Sequence, residues 1–575
     1  MQNLKLQFKN KKFSISVLII ILLIGLALRL WQLGQVPLSP DWDEVALGYD
    51  AYSILHTGRD EFGAFMPAVL RSFDDYKPAL YSYLAIPSVA VFGLTVFAVR
   101  FPSVVMGMLG ILILYLLVKE LFENRGPTPD QRRNYTEILA LVSAFIMAIS
   151  PWQIQFSRIA FETNSGLTLN LLVAFFFLKG LKKPWMLSLS ALFAGLNLMM
   201  YQSERVFTPL LVLALIIIYW KELISVTKKY LIGAVIVGLL ASLPTIMFIL
   251  GNPGSLERAV GTSIFSQQTQ ALQHTVLRLK DDKDNHDIIG MIVDNRRVIF
   301  VKEIASSYLV HFDPNWLFLE GDNARHHAPG MGLLYLLDLP FLLLGLYLFI
   351  FSKFSRKTKY LVFSWLLLAP VPASITFDVP HAVRTMNMLP MLLIFISLGY
   401  VSFFQDINKY LVLSKKYKVW GIGVYCLFFI AACFNFGYYL NQYFVQQNYY
   451  NAIDWQYGYS QAIPAIEQIK NQYQKVVVSD KVPMDESYMF FLFYLRFPPQ
   501  QYQNLVAQGK NLTPDLHEFD KYEFRTFDWN TEKLKKNILY IGTVNDFPTN
   551  IVAKKTIYYP DGTPAILIVD PKDNL

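Results

Sequence analysis

The sequence predicts a polytopic α-helical membrane protein, with about eleven transmembrane helices, external interfacial helices and a small C-terminal α/β domain. Three observations carry this. The 575 residues are 54% hydrophobic and 16% charged, whereas soluble domains carry about 25% charged side chains. The apolar residues gather in runs of roughly 17 to 22, the length a helix needs to cross about 30 Å of hydrocarbon. Many of the Lys and Arg behind the net charge of +8 lie in short segments between those runs, where membrane topology accounts for them without a nucleic-acid partner.

The first run, Ser14 to Leu30, follows Lys5, Lys9, Lys11 and Lys12 and lacks a small-residue cleavage pattern, so it reads as a retained first span with a cytoplasmic amino end. Ten further runs lie near 100–121, 137–157, 163–179, 184–201, 206–220, 230–250, 331–352, 359–376, 385–404 and 419–440. Ala79 to Phe97 is also apolar. Laid in the interface, as Pro78 and Pro87 suit, it leaves the basic linkers Lys119–Arg133, Lys179–Lys183, Lys221–Lys229, Lys353–Lys359 and Lys409–Lys418 all cytoplasmic; as a span it would turn them all outward.

That parity puts outside the loops 34–99 and 251–330, short turns at 158–162, 202–205 and 377–384, and all beyond 441. The expected domains are therefore 1–440, membrane-embedded, and 441–575, extracytoplasmic. In the tail, Ala462 to Tyr473 reads as an amphipathic helix, and Lys475–Ser479, Ile538–Ile541 and Ala565–Val569 read as strands. Cys426 and Cys433 share one apolar run, so neither a disulfide framework nor a thiolate metal site is indicated.

The polar residues of interest sit at the external ends of the runs. Pro40-Asp-Trp-Asp-Glu44 follows the first span; Asp43 and Glu44 suit a general base or an oxygen ligand for a divalent ion, or simply a solvated acidic loop. Lys77, in Asp74-Asp-Tyr-Lys-Pro78, lies where an ammonium meets a lipid phosphate or snorkels. Glu162 closes the turn from Phe156 and doubles as an acid favoured at a helix start. Arg384 and His381, in Val379-Pro-His-Ala-Val-Arg384, and Arg205, in Ser203-Glu-Arg205, are external groups able to bind phosphate or to anchor at the interface. Arg325, His326 and His327 form a loop that suits donor, metal or plain solvent.

Taken in order, Asp43-Glu44, Tyr76-Lys-Pro-Ala-Leu-Tyr81, Val99-Arg-Phe-Pro-Ser103 and Ser157-Arg-Ile-Ala-Phe-Glu162 resemble the GT-C superfamily of membrane glycosyltransferases, in the branch of protein O-mannosyltransferases and the lipid A aminoarabinose transferase. The resemblance covers about the first 220 residues; later spans match in layout, with Arg384 the one residue carried over. It implies an inverting glycosyltransferase, hexosyl or pentosyl, using a polyprenyl-phosphate sugar donor among membrane lipids of a prokaryotic cell membrane. The acceptor hydroxyl on the external face, whether of a protein, a glycolipid or a cell-wall glycan, stays open. Asp43 is then the matching base and Glu162 the second acid, with Lys77 and Arg384 on the donor phosphate. A divalent metal at Asp43 and Glu162 is left open as cofactor. Two departures stand out: Glu162 where Asp is frequent, and Pro78-Ala79 where two prolines are common. No nucleotide-binding glycine loop occurs. The rival readings are a transporter or lipid flippase and a noncatalytic receptor displaying the tail.

Overall fold

The computed structural model describes residues 11–73, 75–123, 129–252, 261, 263–265, 270–413, 415–513 and 516–574. Lys5, Lys9, Asp74 and parts of the Lys119–Arg133 linker and of the 251–330 loop lie outside them.

Six described helices are long and apolar enough to cross a membrane: Lys11–Leu30, Val96–Phe122, Thr163–Lys182, Lys228–Gly251, Met386–Asn408 and Lys418–Tyr450. A seventh is the pair Asn134–Ile149 and Pro151–Ser157, broken where Pro151 cannot continue the hydrogen-bond ladder. The four remaining expected runs hold shorter helices. Met186–Asn197, Glu204–Ile218, Asp338–Phe351 and Arg356–Leu368 form helices of 12, 15, 14 and 13 residues. At about 1.5 Å per residue these fall short of the hydrocarbon thickness. Turns at 198–203 and 333–337 and the break at Ala369-Pro370 take up the rest of each apolar run.

The Ala79–Phe97 stretch is a separate 13-residue helix, Leu80–Phe92, ended by Gly93, too short to span. On Lys228–Gly251 and Lys418–Tyr450 few side chains are buried, and Leu239, Leu240, Phe429 and Phe434 are exposed. Such faces fit lipid, which takes apolar surface at no cost.

The chain forms two compact units: Met1–Gly25, Met108–Gln153 and Thr163–Phe436; and Leu26–Gly107, Ile154–Glu162 and Gly437–Leu575. The expected boundary near 440 is close to one edge of this division. The 34–99 loop and the turn before Glu162 group with the tail.

In the first unit, Asp338–Phe351 lies along Leu389–Leu413. A Cβ on Gly345 would meet the Phe395 carbonyl oxygen at 1.7 Å and one on Gly399 the Phe341 oxygen at 2.1 Å. The two helices therefore touch backbone to backbone, the close packing small residues permit in membranes.

In the second unit, strands β1 (Val69–Ser72) and β2 (Asp75–Pro78) form an antiparallel hairpin. The tail carries β3 (Lys475–Val478), β4 (His517–Phe519), β5 (Tyr522–Phe524), β6 (Ile538–Gly542), β7 (Lys555–Tyr558) and β8 (Pro564–Val569) in one sheet of order β4-β5-β3-β6-β8-β7. The three runs read as strands are β3, β6 and β8, and the amphipathic stretch is the helix Tyr459–Ile469. Val477, Trp529, Tyr540 and Val569 form the core of one face.

Candidate functional site

The acidic motif after the first span folds as a helix start because Asp41 caps it. Its carboxylate accepts the N–H groups of Asp43 at 2.8 Å and Glu44 at 3.1 Å, and Glu44 accepts the N–H of Asp41 at 3.2 Å. This capping box opens the helix Trp42–Thr57. Asp43 thus sits in the first turn, where the helix dipole favours its anion. The hairpin delivers Lys77, opposite Leu70, into an ion pair with Asp43. The Lys77 ammonium also lies 4.5 Å from the Phe73 ring centroid. Asp43 keeps 29% side-chain exposure and Lys77 only 7%, so the acid is the reachable partner.

Glu44 takes a different part from the one expected. Its two oxygens accept Arg100 Nε at 2.8 Å, Arg100 Nη2 at 2.8 Å, the N–H of Asp41 and the N–H of Ala160 at 2.8 Å. A buried carboxylate with four donors has no lone pair left for a reacting proton, so it acts as a clamp. Arg100 spends its remaining hydrogens on the carbonyls of Leu33, Pro37 and Ser39 at 2.9–3.1 Å. Arg158 does the same nearby, donating to the carbonyls of Leu28, Arg29 and Val36. These two arginines pin the loop before Asp43 to the turn before Glu162. Both stood in the quoted motifs without a role, because a guanidinium's carbonyl partners are distant in sequence.

Glu162 is buried. Burial first, then Glu44 and Glu162, push the Tyr81 phenol well above its usual range, which puts both acids in reach of Tyr81. Asp43, Glu44, Lys77 and Glu162 therefore share one unit.

Near Lys77 lies an acidic group the sequence reading missed. Asp50 accepts the N–H of Glu61 at 3.1 Å. Glu61 is fully buried, and neither of its oxygens has a hydrogen-bond partner among the described residues. Burial, then Asp50 and Asp60, push its carboxyl well above the usual range. The folded protein thus holds a proton that the unfolded chain has lost above about pH 4.3, so stability falls as pH rises past that point. Glu61→Gln removes this cost. Its gain in thermal stability over the wild type should widen as pH rises from 4.5 to 8, by up to about 1.4 kcal/mol per pH unit; parallel pH curves would exclude the buried proton.

The other charged residues belong to the first unit. Arg205 donates to Gln202 Oε1 at 2.7 Å and to the Leu198 carbonyl at 3.3 Å. Arg384 Nη1 donates to Thr376 Oγ1 at 2.8 Å and the Phe377 carbonyl at 2.9 Å. His381 and His326 stand with ring centroids 4.9 Å apart, beside Asp322, which accepts the N–H of Ala382 at 2.6 Å and pairs with His326 Nδ1 at 3.0 Å. Burial pushes the Asp322 carboxyl up, but His326 and the Ala382 N–H outweigh it and hold the group at about 2. His311 accepts the N–H of His381 at 3.3 Å; burial brings it down to about 4, so it is neutral near pH 7. His327 packs against Gly321, and the Arg325 backbone N–H binds Asn323.

Among the described residues the His, Cys, Asp and Glu side chains grouped closely enough for a metal are Asp322, His326 and His381. Asp43 and Glu162, the expected metal candidates, are not among them. Glu204, the middle residue of a motif read only for its arginine, is buried and bound by Asn170 at 2.6 Å and Asn387 at 2.7 Å. It ties three helical segments of the first unit by hydrogen bonds.

Apolar helices of spanning length and an α/β tail define the class: a polytopic helical integral membrane protein with a small C-terminal α/β domain. Residues 76–128, which include Lys77 and Arg100, match the family model of dolichyl-phosphate-mannose-protein mannosyltransferases. The crystal structure of ArnT from Cupriavidus metallidurans bound to undecaprenyl phosphate aligns over 96% of this chain and 97% of its own, with a TM-score of 0.53 and 11% identity. The apo form of that protein gives 0.52 over 97% of each chain, again at 11% identity. The archaeal oligosaccharyltransferase AglB from Archaeoglobus fulgidus, with an inhibitory peptide and a dolichol-phosphate, gives 0.48 at 12% identity over 93% of this chain and 70% of its own. No curated protein matches the chain in sequence. What is shared with ArnT is the fold.

Proposed function

We propose that this chain is an inverting glycosyltransferase, moving a sugar from a polyprenyl-phosphate donor to an acceptor hydroxyl at the extracytoplasmic face of a prokaryotic membrane. The observation that carries the reading is the Asp43–Lys77 pair: an acid held in a first helical turn, partly open, against a nearly buried ammonium. The undecaprenyl phosphate bound by ArnT is the chemistry such an ammonium suits.

The donor phosphate competes with Asp43 for the Lys77 ammonium. As it takes over that cation, Asp43 is released to accept a proton. The acceptor oxygen then attacks the anomeric carbon from the face opposite the phosphate, and its proton passes to Asp43. The carbon–oxygen bond to phosphate breaks, and the charge gathering on the leaving polyprenyl phosphate is met by Lys77. Glu162 is the second acid of this reading. Arg384 and Arg205 keep their assigned donor-phosphate roles as separate proposals.

Purified protein titrated with a panel of polyprenyl-phosphate sugars should show thermal stabilisation by its own donor, since a ligand that binds the folded state raises its melting point. Lys77→Ala should weaken that binding by about 1.5–3 kcal/mol, the worth of a hydrogen bond to a charged group, and leave acceptor affinity unchanged. If no such donor binds, or Lys77→Ala binds it equally well, the reading fails.

A further inference from the structure

We propose that Asp322, His326 and His381 form a binding site for a divalent transition metal of the zinc type. The proposal stands on geometry within the first unit and does not depend on the donor reading. Each residue offers one ligand atom, and the three atoms lie within 4.8 Å of one another. Ligands around a tetrahedral zinc at about 2.0–2.2 Å stand roughly 3.3–3.6 Å apart, so a side-chain adjustment of about 1 Å closes the set.

Two unmet valences point to a ligand. Asp322 Oδ1 and His381 Nδ1 are both buried and have no hydrogen-bond partner among the described residues. Burying such groups unpaired is costly, and a metal is one group that satisfies a carboxylate oxygen and an imidazole nitrogen together. The surroundings hold the set in place. The N–H of Ala382 fixes the second oxygen of Asp322, and the N–H of His381 is fixed on His311, so backbone contacts orient two ligands in the way metal sites require.

Two imidazoles and one carboxylate select zinc or its neighbours over magnesium and calcium, which prefer oxygen alone. Three protein ligands leave a fourth position for water or an anionic oxygen. The Arg384 charge, which acts on both His381 and His311, favours the anion. His381 then serves phosphate through a metal rather than by direct contact.

The test uses full-length protein in detergent, washed with a chelator. Added Co²⁺ should bind at one equivalent with the visible absorption of a four-coordinate ion, be displaced by Zn²⁺ and resist Mg²⁺. X-ray absorption of the zinc form should show two imidazoles. Asp322→Asn, His326→Gln and His381→Gln should each lose at least about 100-fold in affinity, beyond the 10- to 100-fold of an outer-sphere change, and His327→Gln should bind as the wild type does. The wild-type spectra need no variant to fold. No stoichiometric binding, no imidazole in the zinc spectrum, or equal loss in His327→Gln would overturn the site.

Discussion

Asp43→Asn should lower sugar transfer by about 10²- to 10⁴-fold, the usual contribution of a positioned general base, while donor binding holds or tightens. The amide keeps the shape of the side chain and leaves the Asp41 cap intact, so the helix start persists. What disappears is the proton acceptor and the anion paired with Lys77. The freed ammonium then meets the donor phosphate without a competitor, so KM for the donor should not rise. A transfer assay with purified protein, run beside donor-induced thermal shifts, separates the two effects. Turnover near the wild-type rate would remove Asp43 from the chemistry; lost donor binding would make it a phosphate-site residue instead.

Arg100→Met should destabilise the protein by about 3–5 kcal/mol, because removing one partner of a buried pair strands the other charge. Arg100 and Glu44 side chains are 0% and 1% exposed, and the same guanidinium holds three carbonyls of the loop before Asp43. Glu44→Gln leaves those carbonyl contacts in place and should cost less. In the double variant the stranded carboxylate is gone, so its loss should be smaller than the sum of the singles, and thermal denaturation across the cycle reads that coupling. Strict additivity would mean the pair is not coupled. Activity should fall in Arg100→Met as well, since the N–H of Ala160, two residues before Glu162, rests on Glu44.

Several parts of this protein were legible before any coordinates. Long apolar runs such as Ser14–Leu30 and 419–440 became helices, since in hydrocarbon the backbone must satisfy its own hydrogen bonds. The β-rich runs Lys475–Ser479 and Ile538–Ile541 became strands, and the stretch carrying Pro78 and Pro87 became a short separate helix with Pro87 inside it. What the runs did not reveal is the turns inside apolar stretches, as at 198–203 and 369–370.

Composition and periodicity alone determined that the chain lives in lipid, carries an α/β tail and keeps its charges at helix ends, because those properties depend on local free energies that each residue brings with it. Tertiary structure alone decided which charges work together. It joined Lys77 to Asp43, withdrew Glu44 into the grip of Arg100, buried Glu61 with no hydrogen-bond partner among the described residues, and gathered Asp322 with two histidines from separate loops. The reason is that a charge acts through distance and desolvation, and both are set by residues far away in the chain.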